Sequence, residues 1–204
     1  MSHVVDANHV GPLQQRWRLF CAIVLTPDVR KRVTGHVARL REVAPNARAS
    51  WARDEALHIT LKFIGEIDTA RIDLLSRAAT RAAESVQSFA LTIEGAGVFP
   101  PRGLPRVLWL GIIDLSRSMA RLHQRLEAEC RLEGFACEKR AFHPHLTVAR
   151  LRTHDDAEML AASHHEIGFD ATPVNVSELV VMRSELASSG SHYTVISRHS
   201  LKRV

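Results

Sequence analysis

The chain is poor in covalent bracing: its 204 residues hold three cysteines, Cys21, Cys130 and Cys137. An odd number without Cys-x-x-Cys spacing argues against a disulfide framework and a cysteine zinc site, and fits a reducing cytoplasm. No apolar run approaches the roughly 18 residues that span a bilayer, so no membrane association is expected. Residues 1–16 read as a loose polar lead-in with no apolar core of the kind a secretory signal requires. Regular βαβ units carrying glycine fingerprints are also missing, which argues against a doubly wound nucleotide-binding sheet. Against these absences, 46% hydrophobic and 24% charged residues describe an ordinary globular chain. Its length suits one domain or two small lobes sharing a core. The formal net charge of +5 suits an anionic ligand.

Periodicity predicts an alternation of strands and helices. Arg18–Leu25 is a compact apolar strand closed by Thr26-Pro27-Asp28, a helix start with proline where its missing N–H is no loss. Val29, Val33, Val37 and Leu40 then recur at helical steps until Pro45. Leu57–Ile64 returns to strand character, and Asp68 is the expected N-cap of a second helix through Val86. Strands are predicted at Phe89–Phe99 and Val107–Ile113, with a proline-rich loop over 100–105 between them. A third helix is predicted from Ser116 to Gly134, a strand over Phe142–Leu151 and a short helix over Asp155–Ala162. Two closing strands fall near Glu178–Arg183 and His192–Arg198. The expected class is α+β: two pseudo-symmetric lobes of antiparallel sheet with outer helices, one bilobal domain over 17–204.

Within this order lies a weak internal repeat. His58-Ile59-Thr60-Leu61-Lys62-Phe63 and His145-Leu146-Thr147-Val148-Ala149-Arg150 both read His-x-Thr with apolar residues at the second and fourth positions. Requiring apolar residues on both sides of the threonine lowers the chance expectation from about 0.6 copies to about 0.1 for a chain of this composition. Side chains alternate along a strand, so His58 and Thr60 share one face and Ile59 and Leu61 the other; the second copy repeats this. Each strand would bury one face and present an imidazole and a hydroxyl on the other. If the halves pack about a pseudo-twofold axis, the two pairs face each other across a cleft. The bland alternative is two half-buried histidines, each satisfied by its threonine.

Two facing imidazoles suit phosphoryl transfer without a metal, since histidine near its reference pKa of about 6.5 serves as acid or base. Threonine hydroxyls can donate to non-bridging phosphate oxygens. A guanidinium at Arg150 would add charge and a planar fork. Both Phe63 and Arg150 lie five residues past their histidines, the wrong parity for a regular strand, so a bulge or strand end has to redirect them.

The repeat resembles the tandem His-x-Thr hallmark of the two-histidine (2H) phosphoesterases. Arg18–Pro27, Leu57–Glu66, Val107–Gly111, Phe142–Arg150 and Tyr193-Thr194-Val195 resemble, in order, the bacterial and archaeal RNA 2′,3′-cyclic phosphodiesterase branch, also named 2′-5′ RNA ligase. The resemblance implies a bilobal fold with the motifs across a central cleft. It implies hydrolysis of RNA 2′,3′-cyclic phosphate ends to 2′-phosphate ends, with no metal or other cofactor. By position, His58 and His145 would be catalytic, Thr60 and Thr147 would hold phosphate oxygens, Arg150 would contact the phosphate and Phe63 would line the nucleoside site. A 2′-phosphate product requires cleavage of the P–O3′ bond, as does formation of a 2′-5′ linkage from a 5′-hydroxyl. The provisional assignment gives His58 the proton for O3′ and His145 the activation of water, with the reverse nearly equivalent by motif symmetry.

Other readings remain beside this one. A non-catalytic RNA or nucleotide-binding module would keep the cleft, and a metal-dependent hydrolase would use the pair in His143-Pro144-His145. Small cyclic nucleotides and 2′-5′ oligonucleotides are alternative substrates, with specificity expected in loops such as 100–106 and 184–192. The chain is expected to act as a monomer without an obligate protein partner. Lys62, sharing the ideal-strand face of His58, is read as a rim lysine or an RNA contact. Trp51 and Trp109 are candidate base-stacking residues, with core packing the favoured reading for Trp109, and His164-His165 are read as solvated loop residues rather than ligands. Arginines 39, 41, 48 and 53 are read as a basic rim or as ordinary solvated charges.

Overall fold

The strands form two antiparallel sheets in the computed structural model, which describes residues 15–153, 156–187 and 190–203. The first has the order β3-β1-β8-β9 and comprises β1 (Arg16–Val24), β3 (His58–Asp68), β8 (Glu178–Ala187) and β9 (Gly190–Ser200). The second has the order β2-β6-β5-β4-β7, from β2 (Ala49–Trp51), β4 (Phe89–Phe99), β5 (Val107–Ile113), β6 (His145–Leu151) and β7 (Thr172–Val176). The expected lead-in lies outside the described residues except for Gln15 and Arg16, and Arg16 already belongs to β1.

The helices cross between halves. Helix α1 (Pro27–Val43) follows β1 of the first sheet yet packs on α4 (Ala157–Ile167) and β6 of the second. Helix α3 (Ser118–Leu132) follows β5 of the second sheet yet packs on α2 (Ile72–Glu84) and β3 of the first. Each lobe therefore needs chain from both halves, and one core runs through Leu19, Ile23, Leu40, Ile59, Leu75, Leu108, Leu122 and Leu146. Val29, Val33, Val37 and Leu40 are buried on α1 as their spacing required.

Several boundaries differ from the sequence reading for local reasons. Strand β3 continues through Gly65, whose φ of 84° lies in the left-handed region open to glycine. Asp68 caps a 3-10 turn, accepting from Ala70 N–H at 2.8 Å, and α2 begins only at Ile72. Asp114 caps α3, accepting from the N–H groups of Ser118 at 3.1 Å and Met119 at 2.9 Å, and Ser116 Oγ also accepts from Ser118 N–H at 3.3 Å. Strand β7 carries Pro173, tolerated because β7 is an edge strand.

The feature that positions the site is a β-bulge repeated in both motif strands. Opposite β1, the partners step from Lys62 (of Cys21) to Thr60 (of Ala22), skipping Leu61. Opposite β5, they step from Ala149 (of Leu108) to Thr147 (of Trp109), skipping Val148. Both bulges fall three residues past the histidine, and burial follows the same sequence in each strand: intermediate, buried, intermediate, buried, buried, exposed. The extra residue reverses the alternation. Phe63 and Arg150 thereby return to the face of the histidines, while Lys62 and Ala149 turn into the core.

Lys62 is accordingly neither a rim lysine nor an RNA contact: it is 2% exposed. Its ammonium donates to Glu127 Oε1 at 2.7 Å and to Ala136 O at 2.8 Å, fixing β3 to α3 and to the segment that leads into β6. Replacing Lys62 by alanine strips the partly buried Glu127 carboxylate and Ala136 O of their buried partner and should cost about 3 kcal/mol in urea unfolding. A loss below 1 kcal/mol would contradict a buried ion pair of this kind.

Candidate active site

The motif strands β3 and β6 lie against one another, one from each sheet. Each histidine is held in the same manner. His58 Nδ1 is 2.7 Å from Ala56 O, and His145 Nδ1 is 2.7 Å from His143 O, in both cases the carbonyl two residues earlier. A carbonyl only accepts, so Nδ1 carries the proton in both rings. The neutral ring then offers the lone pair of Nε2, and the protonated ring offers Nε2–H. Neither Nε2 has a protein partner among the described residues. The threonines do not satisfy these rings, so the bland reading of the repeat fails at that contact.

Each ring is also walled by aromatics from its own sheet. Phe20 and Tyr193 lie 4.7 and 5.0 Å from His58, centroid to centroid. Phe99 and Trp109 lie 5.1 and 6.3 Å from His145. Burial lowers His58 to about 4, helped by the charges of Arg150 and His145 and opposed by the hydrogen bond to Ala56. His145 is also lowered by burial, against its hydrogen bond to His143 and with the charges of Arg150 and His143. Arg150 therefore sits within electrostatic reach of both imidazoles. It is exposed and has no ion pair or side-chain hydrogen bond among the described residues.

The structure brings together most of the residues chosen from sequence. His58, Thr60 and Phe63 occupy one face of β3, with Phe63 51% exposed, and His145, Thr147 and Arg150 occupy the equivalent face of β6. His143, the other member of the His-Pro-His pair, contributes its carbonyl to His145, and its ring packs on Phe99 at 5.6 Å.

Trp109 was misread. It pairs with Thr147 on β6 and Gly97 on β4, is half-buried, and packs on Phe99, His143 and His145. A Cβ at position 97 would overlap the indole, so glycine there lets the ring lie across β4. Phe20, Phe99 and Tyr193 were missed as site residues because an apolar residue in an apolar strand carries no face label. Trp51 packs against the core. Arg39 and Arg41 are exposed on α1, which covers the outer side of the second sheet.

Behind Trp109 lies a buried polar chain. His164 Nε2 donates to Trp109 O at 3.0 Å, so its Nδ1 accepts from His36 Nε2 at 2.9 Å. Both histidines are fully buried, so His164 lies on α4 and is no solvated loop residue. The pair ties α1 and α4 to the backbone of β5.

Fold and site together place two imidazoles, two hydroxyls and one guanidinium on neighbouring strands in a paired His-x-Thr arrangement. The family model described as the 2′-5′ RNA ligase superfamily matches residues 27–187, and the chain belongs to that family. A relative named RNA 2′,3′-cyclic phosphodiesterase from Thermotoga maritima is 31% identical over 180 residues, 88% of this chain and 92% of its own. Its namesake in Escherichia coli K12 is 31% identical over 184 residues, 90% and 96%. The crystal structure of E. coli LigT in apo form superposes with a TM-score of 0.71 at 26% identity, covering 92% of this chain and 98% of LigT. TT0787 of Thermus thermophilus gives 0.74 at 26% identity, covering 91% and 98%.

The lowered histidines have a consequence for stability. His36 is lowered to about 4 by burial, with the charges of His164 and Arg39 adding to it, and His164 is lowered chiefly by burial. Between the ordinary value of about 6.5 and about pH 4 the unfolded chain binds protons that the folded chain refuses, so stability falls as the pH falls. Urea unfolding at pH 5.0 should show a stability on the order of 1 kcal/mol or more below that at pH 7.5. Equal or greater stability at pH 5.0 would contradict these buried neutral rings.

Proposed function

We propose that this chain hydrolyses RNA 2′,3′-cyclic phosphate ends to 2′-phosphate ends, with His58 and His145 as the proton-transfer pair and no metal. The observation that carries the reading is the pair of imidazoles, each locked by Nδ1–H to a carbonyl two residues back, with Nε2 unpaired and Arg150 near both. Attack by water on phosphorus, in line with O3′, needs a base for the water proton and an acid for the departing oxygen. One neutral Nε2 takes the proton, the other Nε2–H supplies one, P–O3′ breaks, and a 3′-hydroxyl and a 2′-phosphate remain. Thr60 and Thr147 donate to the non-bridging oxygens, Arg150 binds the phosphate through its fork, and Phe63 offers an exposed ring to the nucleoside. The names of the relatives, and a solved complex of E. coli LigT with 3′-AMP, support an RNA-end substrate.

The two rings differ in a way that bears on their roles. His58, held neutral down to about pH 4, suits the base; His145 lies in the less enclosed position and suits the acid. This reverses the provisional assignment made from motif order. A 5′-hydroxyl in place of water at the same position yields a 2′-5′ linkage with the same bond broken, so ligation uses the same groups.

The test is an RNA oligonucleotide ending in a 2′,3′-cyclic phosphate, incubated with the protein in EDTA and analysed for the position of the product phosphate. The expected product is a 2′-phosphate, with His58→Ala and His145→Ala each lowering kcat by about 10²–10⁴-fold. A 3′-phosphate product, loss of turnover in EDTA, or full activity in either variant would overturn the proposal.

A further inference from the structure

Beside Phe63 the surface opens into a groove of about 410 Å³ lined by Arg18, Phe63, Gly65, Glu66 and Arg140, with neither histidine in its lining. Its place relative to the reacting centre follows from the aromatic row. Phe20 stands 4.7 Å from His58 and 6.0 Å from Phe63, so the groove begins one ring beyond the catalytic pair. Arg18 lies two residues before Phe20 on β1 and shares its face. It is exposed and has no ion pair or side-chain hydrogen bond among the described residues. Gly65 leaves the floor open: nothing lies within 4 Å of where a Cβ would stand.

The opposite wall is built from the other half of the chain and held by the motif strand itself. The ammonium of Lys62 fixes Ala136 O and Glu127, and Glu127 Oε2 accepts from Glu138 N–H at 3.3 Å. The Glu138 carboxylate then accepts from Arg140 N–H at 3.2 Å and from its Nε at 3.3 Å. Arg140 is thus aimed through Glu138, whose Oε2 also accepts from Nη2 at 3.4 Å, and Nη1 is left without a partner among the described residues. Two guanidiniums facing one groove, with Glu66 and Glu138 as the acids beside it, suit a single phosphate held by forks better than a long polyanion. The volume accommodates a group of nucleotide size.

We propose that this groove is a subsite for the phosphate on the 5′ side of the terminal nucleotide, held by Arg18 and Arg140. It rests on the RNA-end reading above and sharpens it: the enzyme selects a chain end over a lone cyclic nucleotide. With the cyclic phosphate between the histidines and the terminal nucleoside on Phe63, the preceding linkage of the strand falls into the groove. A 2′,3′-cyclic nucleoside monophosphate without a 5′-phosphate leaves it empty.

The test compares kcat/KM for three substrates: a 2′,3′-cyclic nucleoside monophosphate, the same compound with a 5′-phosphate, and a dinucleotide ending in the cyclic phosphate. The wild-type protein should prefer the dinucleotide to the unphosphorylated mononucleotide by about tenfold or more, and the 5′-phosphate should recover most of that preference. The Arg18→Ala, Arg140→Ala double variant should bring the ratio close to one, with the lysine pair in between because it loses the planar fork. A wild-type ratio below two, a 5′-phosphate without effect, or a preference that survives in the double alanine variant would overturn the subsite. Absence of turnover on all three substrates by the wild type would instead remove the RNA-end reading on which it rests.

Discussion

Everything at this site depends on one extra residue in each of two strands. Without the bulges at Leu61 and Val148, strict alternation would turn Phe63 and Arg150 into the core and bring Lys62 and Ala149 onto the face of the histidines. With them, three positions of each strand share a face: an imidazole, a hydroxyl, and an exposed side chain, Phe63 or Arg150. The same device also frees Lys62 for a structural task. A buried ammonium is tolerated only where it is fully paired, and its partners Glu127 and Ala136 O fix the segment that leads to the second motif strand. One bulge therefore sets the exposed ring of Phe63, the ion pair of Lys62 and the approach to the other lobe.

The crossing of the helices gives the cleft a single foundation. Because α1 covers the second sheet and α3 the first, neither half of the chain builds a lobe unaided. The two histidines are carried by strands that touch, each ring backed by aromatics of its own sheet. These aromatic walls withdraw water from the imidazoles, which favours the neutral forms and strengthens every charge interaction with a bound phosphate. His58 lies deeper than His145, so an internal repeat in sequence becomes a pair of imidazoles in unequal surroundings. The inequality is what a reaction needs that takes a proton on one side of phosphorus and returns one on the other.

The fold class and most of the site were legible in the sequence because parity and hydrophobic pattern are local properties. The repeat His-x-Thr with apolar intervals fixed which face of each strand was polar, and the wrong parity of Phe63 and Arg150 already demanded a bulge. The position of that bulge was not legible, and Lys62 was misplaced for this reason. Trp109 was misread because an aromatic residue in an apolar strand says nothing about which face is the cleft; the space above Gly97 decides it. His164 was misread because its partners, His36 and the carbonyl of Trp109, are remote in sequence. Strand β7 was hidden by Pro173, and β2, three residues long, was too short to show a period.

Two similarly held imidazoles divide the proton traffic in the proposed reaction, His58 as base and His145 as acid. The decisive measurement replaces O3′ of a 2′,3′-cyclic end by sulfur, a leaving group that needs no proton. The sulfur substrate should restore most of the activity lost in His145→Ala and little of that lost in His58→Ala. Rescue of His58→Ala alone would contradict the division and return the acid role to His58.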